Sequence, residues 1–312
     1  MTAPDAWDPA DIPTQEGRTV LVTGTTVGGL GQFTALELAR RGARVVLAGR
    51  REERIEETRR AILAEVPTAS LASLVVDLSD LGSVRRAAAE AAGVGPIDVL
   101  VNNAGVMGTP YRRTADGLEL QMATNHFGPF LLTGLLLPQL VEGGDATVVT
   151  VSSQMHRVAR RAPLDDPHTQ RGRYQRWPVY GQTKLANLLF TYELHRRCRR
   201  AELPVRALAA HPGFASTHLA ANGQYGRASG GRASILDAAV RLVSPNTPEQ
   251  GAWPTLMAAT AELPGGTYVG PSGFLEGGGR PSVTTSNRLS HDETAQRRLW
   301  QLSEEVTGVS YP

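Results

Sequence analysis

Short apolar runs alternate with helical patterns from Arg18 to Gly213, and this alternation constrains the fold more than any other feature of the chain. The runs read as strands: VLV at 20–22, RVVLAGR at 44–50, LASLVVDLSD at 71–80 as strand and turn, DVLVNNAG at 98–105, ATVVTVSS at 146–153 and VRALAAHPG at 205–213. Between them, apolar residues recur at helical spacing over FTALELARRG, which Gly42 closes, then over 52 to about 65, near 83–91, from about 118 to 140 and from about 179 to 200. Strands separated by helices run parallel through right-handed crossovers. The expected fold class is therefore α/β, a doubly wound parallel sheet with helices on both faces.

The 312 residues are 41% hydrophobic and 20% charged, enough apolar material for a core and too much for a disordered chain. No linker or repeat divides them, so residues 18–312 are expected to form one domain. Residues 1–17 then read as a flexible arm, with Trp7 and Ile12 pinning it to the body. Residues 214–234 concentrate Gly, Ala and Ser, the composition of a loop that closes over a ligand. Helical patterns resume near 235–242 and 248–261, GTYVG reads as a last strand, and the tail HDETAQRRLWQLSEEV is amphipathic. The amino end is acidic and Pro-rich, without the basic and apolar regions of a signal peptide, and no apolar run reaches about eighteen residues. A cytoplasmic location away from membranes is expected. A net charge of +2 gives no electrostatic footprint for nucleic acid. The single cysteine, Cys198, excludes an intramolecular disulfide and a cysteine metal cluster, and the histidines show no ligand spacing, so no metal is expected.

The segment T-G-T-T-V-G-G-L-G lies between the first strand and the first helix. In that context glycines let the backbone approach a pyrophosphate, whose charge is held by amides at the helix amino terminus. Gly24, Gly28, Gly29, Leu30 and Gly31 are the candidate cofactor contacts, the alternative being a turn lined with glycine for tight packing. Strand two ends in Ala48-Gly49-Arg50-Arg51, where an NAD enzyme places an acidic residue for the ribose 2′-hydroxyl. Arg50 favours a 2′-phosphate there, so NADP(H) is expected over NAD(H). Asp77, followed by Leu78 at the end of strand three, either accepts a hydrogen bond from an adenine amino group or caps the next helix.

Of the 32 basic residues, every one but Lys184 is arginine. Arginine replaces lysine on a solvated surface but not where a compact ammonium on a flexible stem is required. Lys184 follows Tyr180 by four positions in Y-G-Q-T-K, and residues four apart share a helix face. A tyrosine, with a pKa near 10, is a poor base at neutral pH, and an ammonium within about 4–6 Å lowers that value. Lys184 is thus placed to tune Tyr180 as a general acid and base; an exposed helical pair is the alternative.

In this order, the motifs resemble the short-chain dehydrogenase/reductase family, and within it the retinol-dehydrogenase-like group, over about residues 12–308. The resemblance rests on the turn from Thr23 to Gly31, Asn102-Asn103-Ala104-Gly105, Asn125 in NHFGPFLLT, Ser152-Ser153, Tyr180 with Lys184, and His211-Pro212-Gly213. It implies a Rossmann-type sheet of about seven strands and hydride transfer between a nicotinamide and an alcohol or carbonyl. Residue by residue, it implies Tyr180 as general acid and base, with Ser153 rather than Ser152 hydrogen-bonded to the reacting oxygen. Lys184 would also bond the nicotinamide ribose. Asn125 would hold a water linking Lys184 to solvent, unless it only satisfies a helix kink. Asn103, Ala104 and Gly105 would pass close to the cofactor, and Pro212, Gly213 and Thr217 would contact its nicotinamide end. One departure stands out: the family pattern T-G-x-x-x-G-x-G places its last glycine one residue earlier than Gly31. NADP-preferring members often carry a basic residue inside this turn. Thr25, Thr26 and Val27 are neutral, which leaves the preference to Arg50.

Other features leave alternatives open. Arg157, Arg160, Arg161, Arg171, Arg173 and Arg176, against Asp165 and Asp166, either meet an anion or form a solvated loop. Met155, His156 and Trp177 either line a substrate pocket or pack. Cys198, among Arg197, Arg199 and Arg200, is either a thiol of depressed pKa or a passive surface group. The stripes Leu185, Leu188, Leu189, Tyr192 and Phe127, Phe130, Leu131, Leu135 read as core mixed with a homodimer face. The expected function is NADP(H)-dependent oxidoreduction of a bulky, mostly apolar alcohol or ketone. The alternatives are an NADP(H)-binding sensor or scaffold without turnover, and an epimerase or double-bond reductase on the same fold.

Overall fold

The computed structural model of the protein describes residues 7–161, 173–214 and 246–312. Thr217, Asp165, Asp166, Arg171, the loop expected beyond Phe214 and the helix expected near 235–242 lie outside these residues. Strand β1 (Thr19–Thr23) leads through the glycine-rich turn into α1 (Leu30–Arg40). Next come β2 (Arg44–Gly49), α2 (Glu52–Glu65), β3 (Leu71–Val75) and α3 (Leu81–Ala91), whose N-cap Asp80 accepts from the Ser83 amide. Then follow β4 (Val99–Asn102), the short α4 (Leu120–Met122) and α5 (Gly128–Glu142). After β5 (Ala146–Val151), α6 (Arg176–Arg200) precedes β6 (Val205–Ala210). The chain closes with α7 (Pro248–Thr260), β7 (Tyr268–Pro271), β8 (Pro281–Thr284) and α8 (Glu293–Thr307).

The strands form one sheet in the order β3-β2-β1-β4-β5-β6-β7-β8, parallel except for β8, which pairs antiparallel with β7. The sheet therefore has eight strands where about seven were expected. The added edge strand carries no apolar run to announce it, since only Pro281 of its residues is buried and Val283 is exposed.

Side chains alternate across the sheet. Leu21, Leu100 and Val148 point into a core shared with α3, α5, α6 and α8, while Val20, Val22, Val99, Val101 and Val149 point into one shared with α1, α2 and α7. Strand order reverses between β1 and β4, and the crevice beyond their carboxyl ends is where ligands bind in such sheets. Gly24 and Asn103 flank that crevice.

One expectation needs correction. The helix read as continuous from 118 to 140 is interrupted by a π-helical segment, Ala123–Phe127. Pro129 is the cause: it has no amide proton for the Asn125 carbonyl four residues back, and its ring would crowd that oxygen. Trp7 and Ile12, the residues expected to pin the amino-terminal arm to the body, are both buried, and Arg41 donates to the Pro9 and Ala10 carbonyls.

The apolar faces of α5 and α6 are covered within the chain itself. Trp300 of α8 packs edge-on to Phe130 and stacks on Phe190, and Tyr311 lies against both Phe130 and Trp300. Phe127, Phe130, Leu131, Leu185 and Leu189 are fully buried in the same core, Leu188 is buried against Ala209 and Tyr268, Leu135 is half-buried, and the Tyr192 hydroxyl bonds Ser286.

Candidate active site

The glycine-rich turn is held from both sides of the sheet end. Thr23 donates to the Val101 carbonyl, and its oxygen accepts from the amides of Asn103 and Ala104 at 3.0 Å each. The Asn103 side chain returns the contact, donating to the Thr23 and Gly24 carbonyls at 2.7 and 3.2 Å. Thr58 of α2 pins the Thr25 carbonyl at 2.6 Å. Gly31 is required by space: a Cβ there would lie 2.5 Å from the Gly24 carbonyl and 2.6 Å from Asn103 Nδ2. Gly24 is required twice over, having φ +75 and a Cβ position 2.7 Å from Ala104 Cα.

The displaced glycine has a structural account. Gly28, at φ +77, absorbs the extra residue, its amide donating to Gln32 Oε1 at 2.6 Å. Gly29 then becomes the N-cap of α1, so the helix opens at Leu30, whose amide and that of Gly31 have no acceptor among the described residues, and Gly31 keeps the close approach. Arg50 and Arg51, at the end of β2, are exposed and have no ion-pair partner among the described residues. A dinucleotide carrying a 2′-phosphate fits this donor set: helix-terminal amides for the pyrophosphate, and a neighbouring guanidinium without a carboxylate to neutralise it. Asp77 does not cap α3, a role Asp80 fills; its Oδ1 accepts from the Ser79 amide and hydroxyl at 2.9 and 2.6 Å. Leu78 turns its side chain into the core.

Across the crevice, four polar side chains converge. Ser153, just past β5, lies beside the buried Tyr180 phenol, whose pKa its hydroxyl lowers, and its oxygen accepts from the Met155 amide at 3.2 Å. Ser152 faces the opposite way, donating to the Lys184 carbonyl at 2.8 Å. Lys184 Nζ lies 5.8 Å from the Tyr180 ring centroid and donates to the Val151 carbonyl at 2.9 Å, an acceptor shared with Asn187. Asn125 completes the group. Its Oδ1 accepts from the Val106 amide at 2.7 Å, while Nδ2 donates to the Val106 carbonyl and to Thr183 Oγ1, both at 2.9 Å. The side chain is a brace between the loop after β4 and α6. Gly105 sits in the remaining space, where a Cβ would be 3.0 Å from Asn125 Oδ1 and 3.8 Å from Lys184 Nζ.

The electrostatics differ from the sequence expectation. Burial pushes the Tyr180 phenol up to about 12, against the lowering effect of the Ser153 hydrogen bond. The Lys184 ammonium is pushed down to about 8 by the same burial. Lys184 does not make the phenol acidic here, because both groups are enclosed and enclosure penalises each charged form. At neutral pH Tyr180 is thus protonated, and Lys184 is predominantly charged.

The flanking residues divide. Trp177 stands over Gly108, where a Cβ would lie 3.2 Å from the indole, and edge-on to Tyr180 at 6.4 Å between centroids. Val106, Met107, Met155 and Trp177 are half-buried apolar groups on the segments that carry Asn125, Ser153 and Tyr180, and Trp177 contacts Tyr180 itself. His156 packs instead: its Nδ1 donates to the Ser153 carbonyl at 2.7 Å, Nε2 accepts from the Asn287 amide, and burial lowers its pKa to about 4. Arg157 pairs with Glu276, whereas Arg160, Arg161, Arg173 and Arg176 are exposed. Cys198 is neither on the surface nor activated, being buried with its pKa pushed up to about 11.

Thr23, Thr58, Thr183 and Glu276 carry much of this geometry and were not singled out by sequence. Threonine at a strand end gives no distinctive spacing. Thr183, three residues after Tyr180 on the same helix face, offered the one usable signal.

Residues 18–163 match the model of a family described as short chain dehydrogenase. Human retinol dehydrogenase 13 is 36% identical over 308 residues, covering 97% of this chain and 87% of that protein. Mouse polyprenol dehydrogenase is 37% identical over 312 residues, covering 96% and 87%. Among solved structures, an uncharacterized protein from Mycobacterium paratuberculosis is 41% identical with a TM-score of 0.80, covering 98% of this chain and 99% of the other. A protein from Beutenbergia cavernae assigned as an NAD(P)-dependent gluconate 5-dehydrogenase, with NADP bound at low occupancy, is 27% identical with a TM-score of 0.59, covering 79% and 91%.

Proposed function

The chain belongs to the short-chain dehydrogenase family, whose members are NAD(P)-dependent oxidoreductases, and from that premise we propose that it is an NADPH-dependent reductase of bulky, mostly apolar ketones or aldehydes. One observation carries the reading: a buried phenol beside Ser153, one helical turn from the chain's single lysine, across the crevice from a turn that has room only for glycine at positions 24 and 31. Bound against that turn, NADPH supplies a hydride. Ser153 and Tyr180 hold the substrate oxygen between them, and Tyr180 passes it a proton as charge develops there. A phenol held near 12 is protonated at neutral pH, the state in which reduction of a carbonyl begins.

Lys184 keeps a positive charge beside the developing oxyanion, and its second role is toward the nicotinamide ribose. Asn125 braces the Gly105–Val106 backbone against α6, and Pro212 with Gly213 receives the nicotinamide end. Arg50 selects the 2′-phosphate. Val106, Met107, Met155 and Trp177 exclude water from the reacting oxygen and favour apolar substrates; similarity to proteins named retinol and polyprenol dehydrogenase points the same way. Among the described residues no helix is long and apolar enough to cross a membrane, and we place the reaction in the cytoplasm.

The test is NADPH oxidation over a panel of apolar ketones and aldehydes, with NADP⁺ reduction over the matching alcohols. Deuterium from the nicotinamide C4 is expected on the carbinol carbon of the product. Tight NADPH binding with no turnover on either panel would establish the sensor instead, and deuterium on a former double bond would establish an alkene reductase.

A further inference from the structure

Glu276 lies in the short turn Phe274–Glu276 between β7 and β8, remote in sequence from every residue of the catalytic group. Its carboxylate accepts four hydrogen bonds. Oε2 receives Gln154 Nε2 at 2.7 Å and His211 Nε2 at 2.8 Å, and Oε1 receives Arg157 Nη2 at 3.0 Å and Thr284 Oγ1 at 2.7 Å. Burial alone would raise its pKa, but the hydrogen bonds from His211 and Thr284 and the Arg157 cation prevail, holding it at about 2. The backbone is strained to present it: Leu275 and Glu276 both have positive φ, 51 and 53, without being glycine. Outliers of this kind persist where the surroundings over-determine them, commonly at functional sites.

The donors identify what is being held. Gln154 directly follows Ser153, and Arg157 closes the same turn while also donating to the Thr285 carbonyl. His211 directly precedes Pro212. With Nε2–H given to Glu276, its Nδ1 accepts from the Gly213 amide at 3.2 Å. Gly213, at φ +67, seats so closely that a Cβ would lie 2.9 Å from the Glu276 carbonyl, and Phe214 donates to the Gly277 carbonyl.

We propose that Glu276 is a positioning residue for the reaction: its carboxylate fixes the Ser153 turn and the Pro212–Gly213 loop in register, so that the hydroxyl bonding the substrate oxygen and the backbone receiving the nicotinamide keep a constant separation. The proposal rests on the site reading given above. A carboxylate is required because it alone accepts from all four donors. An amide would turn N–H groups toward two of them, and an aspartate falls one methylene short.

Hydrogen exchange tests this without depending on turnover. In Glu276→Gln, amide exchange is expected to rise at least about 10-fold in both segments, 153–158 and 211–214, while the exposed-charge control Glu249→Gln leaves both unchanged. For an accepted carbonyl, kcat should fall at least about 10-fold with the NADPH Kd within about 3-fold, the pattern of misplacement rather than lost binding. Should Glu276→Gln not fold, Thr284→Val removes one donor at nearly constant shape, and about 3-fold faster exchange in the same two segments is expected. Faster exchange confined to 274–278, with both distant segments unchanged, would overturn the proposal. If the wild type reduces no carbonyl, the function reading fails on its own, and the exchange result still decides the role of Glu276.

Discussion

Around Gly24 and Gly31 the site is made of backbone, with amides, carbonyls and places where even a methyl group collides; around Tyr180 it is made of enclosed polar side chains, with Lys184 and Asn125 fixed by hydrogen bonds. The first region should be intolerant of volume and indifferent to polarity. The second should tolerate isosteric change in shape yet fail when a donor or a charge is removed. Binding and chemistry are thereby separable by mutation.

A large effect that tests this division is expected of Ser153→Ala, which removes one of the two groups on the substrate oxygen. Turnover should fall about 10²–10³-fold with an unchanged NADPH Kd, measured by steady-state kinetics beside a fluorescence titration. Gly31→Ala is its mirror image. The added methyl meets the Gly24 carbonyl, so NADPH affinity should weaken about 10- to 100-fold and the thermal midpoint should drop, without selective loss of catalysis by whatever enzyme is saturated. Arg50→Asp sharpens the first region further: the ratio of NADPH to NADH affinity should fall about 10-fold or more, and an unmoved ratio would remove Arg50 from cofactor selection.

The smallest effect reads the enclosure of the second region through pH. In the folded chain Lys184 titrates near 8 against an ordinary 10.5, so between those values the unfolded chain binds more protons. Stability therefore rises with pH across that window, by about 1 kcal/mol from about pH 7 to about pH 9. Tyr180 acts at higher pH and with the opposite sign: its raised value contributes stability that is present below 10 and lost as pH rises through 12. Denaturant unfolding of Lys184→Met should show the first rise abolished; an identical rise in both proteins would mean that Lys184 is solvated.

Sequence made the parallel sheet and its crevice legible because buried strands are continuous apolar runs, and because the glycines that mark the crevice are demanded by backbone geometry. Tyr180, Ser153, Lys184 and Asn125 were legible through ordered motifs, and the structure brings them together. Their electrostatics were not: spacing gives the neighbour of Tyr180 but not the depth of its burial, and depth decides the direction of its pKa. Strand β8 was missed because an edge strand of mixed polarity has no periodic signature. Glu276 was missed because its partners lie more than a hundred residues upstream, apart from His211 and the nearby Thr284. The π-helical segment had a signal in Pro129, whose effect falls four residues upstream on Asn125.

The most direct measurement of the central claim is single-turnover hydride transfer from NADPH to an accepted ketone, wild type against Tyr180→Phe, with the NADPH Kd taken on the same samples. Phenylalanine keeps the ring and removes only the proton donor, so the Kd should stay within about 3-fold while transfer slows at least about 10³-fold. Equal transfer rates would contradict the account, since the substrate oxygen would then be receiving its proton from elsewhere.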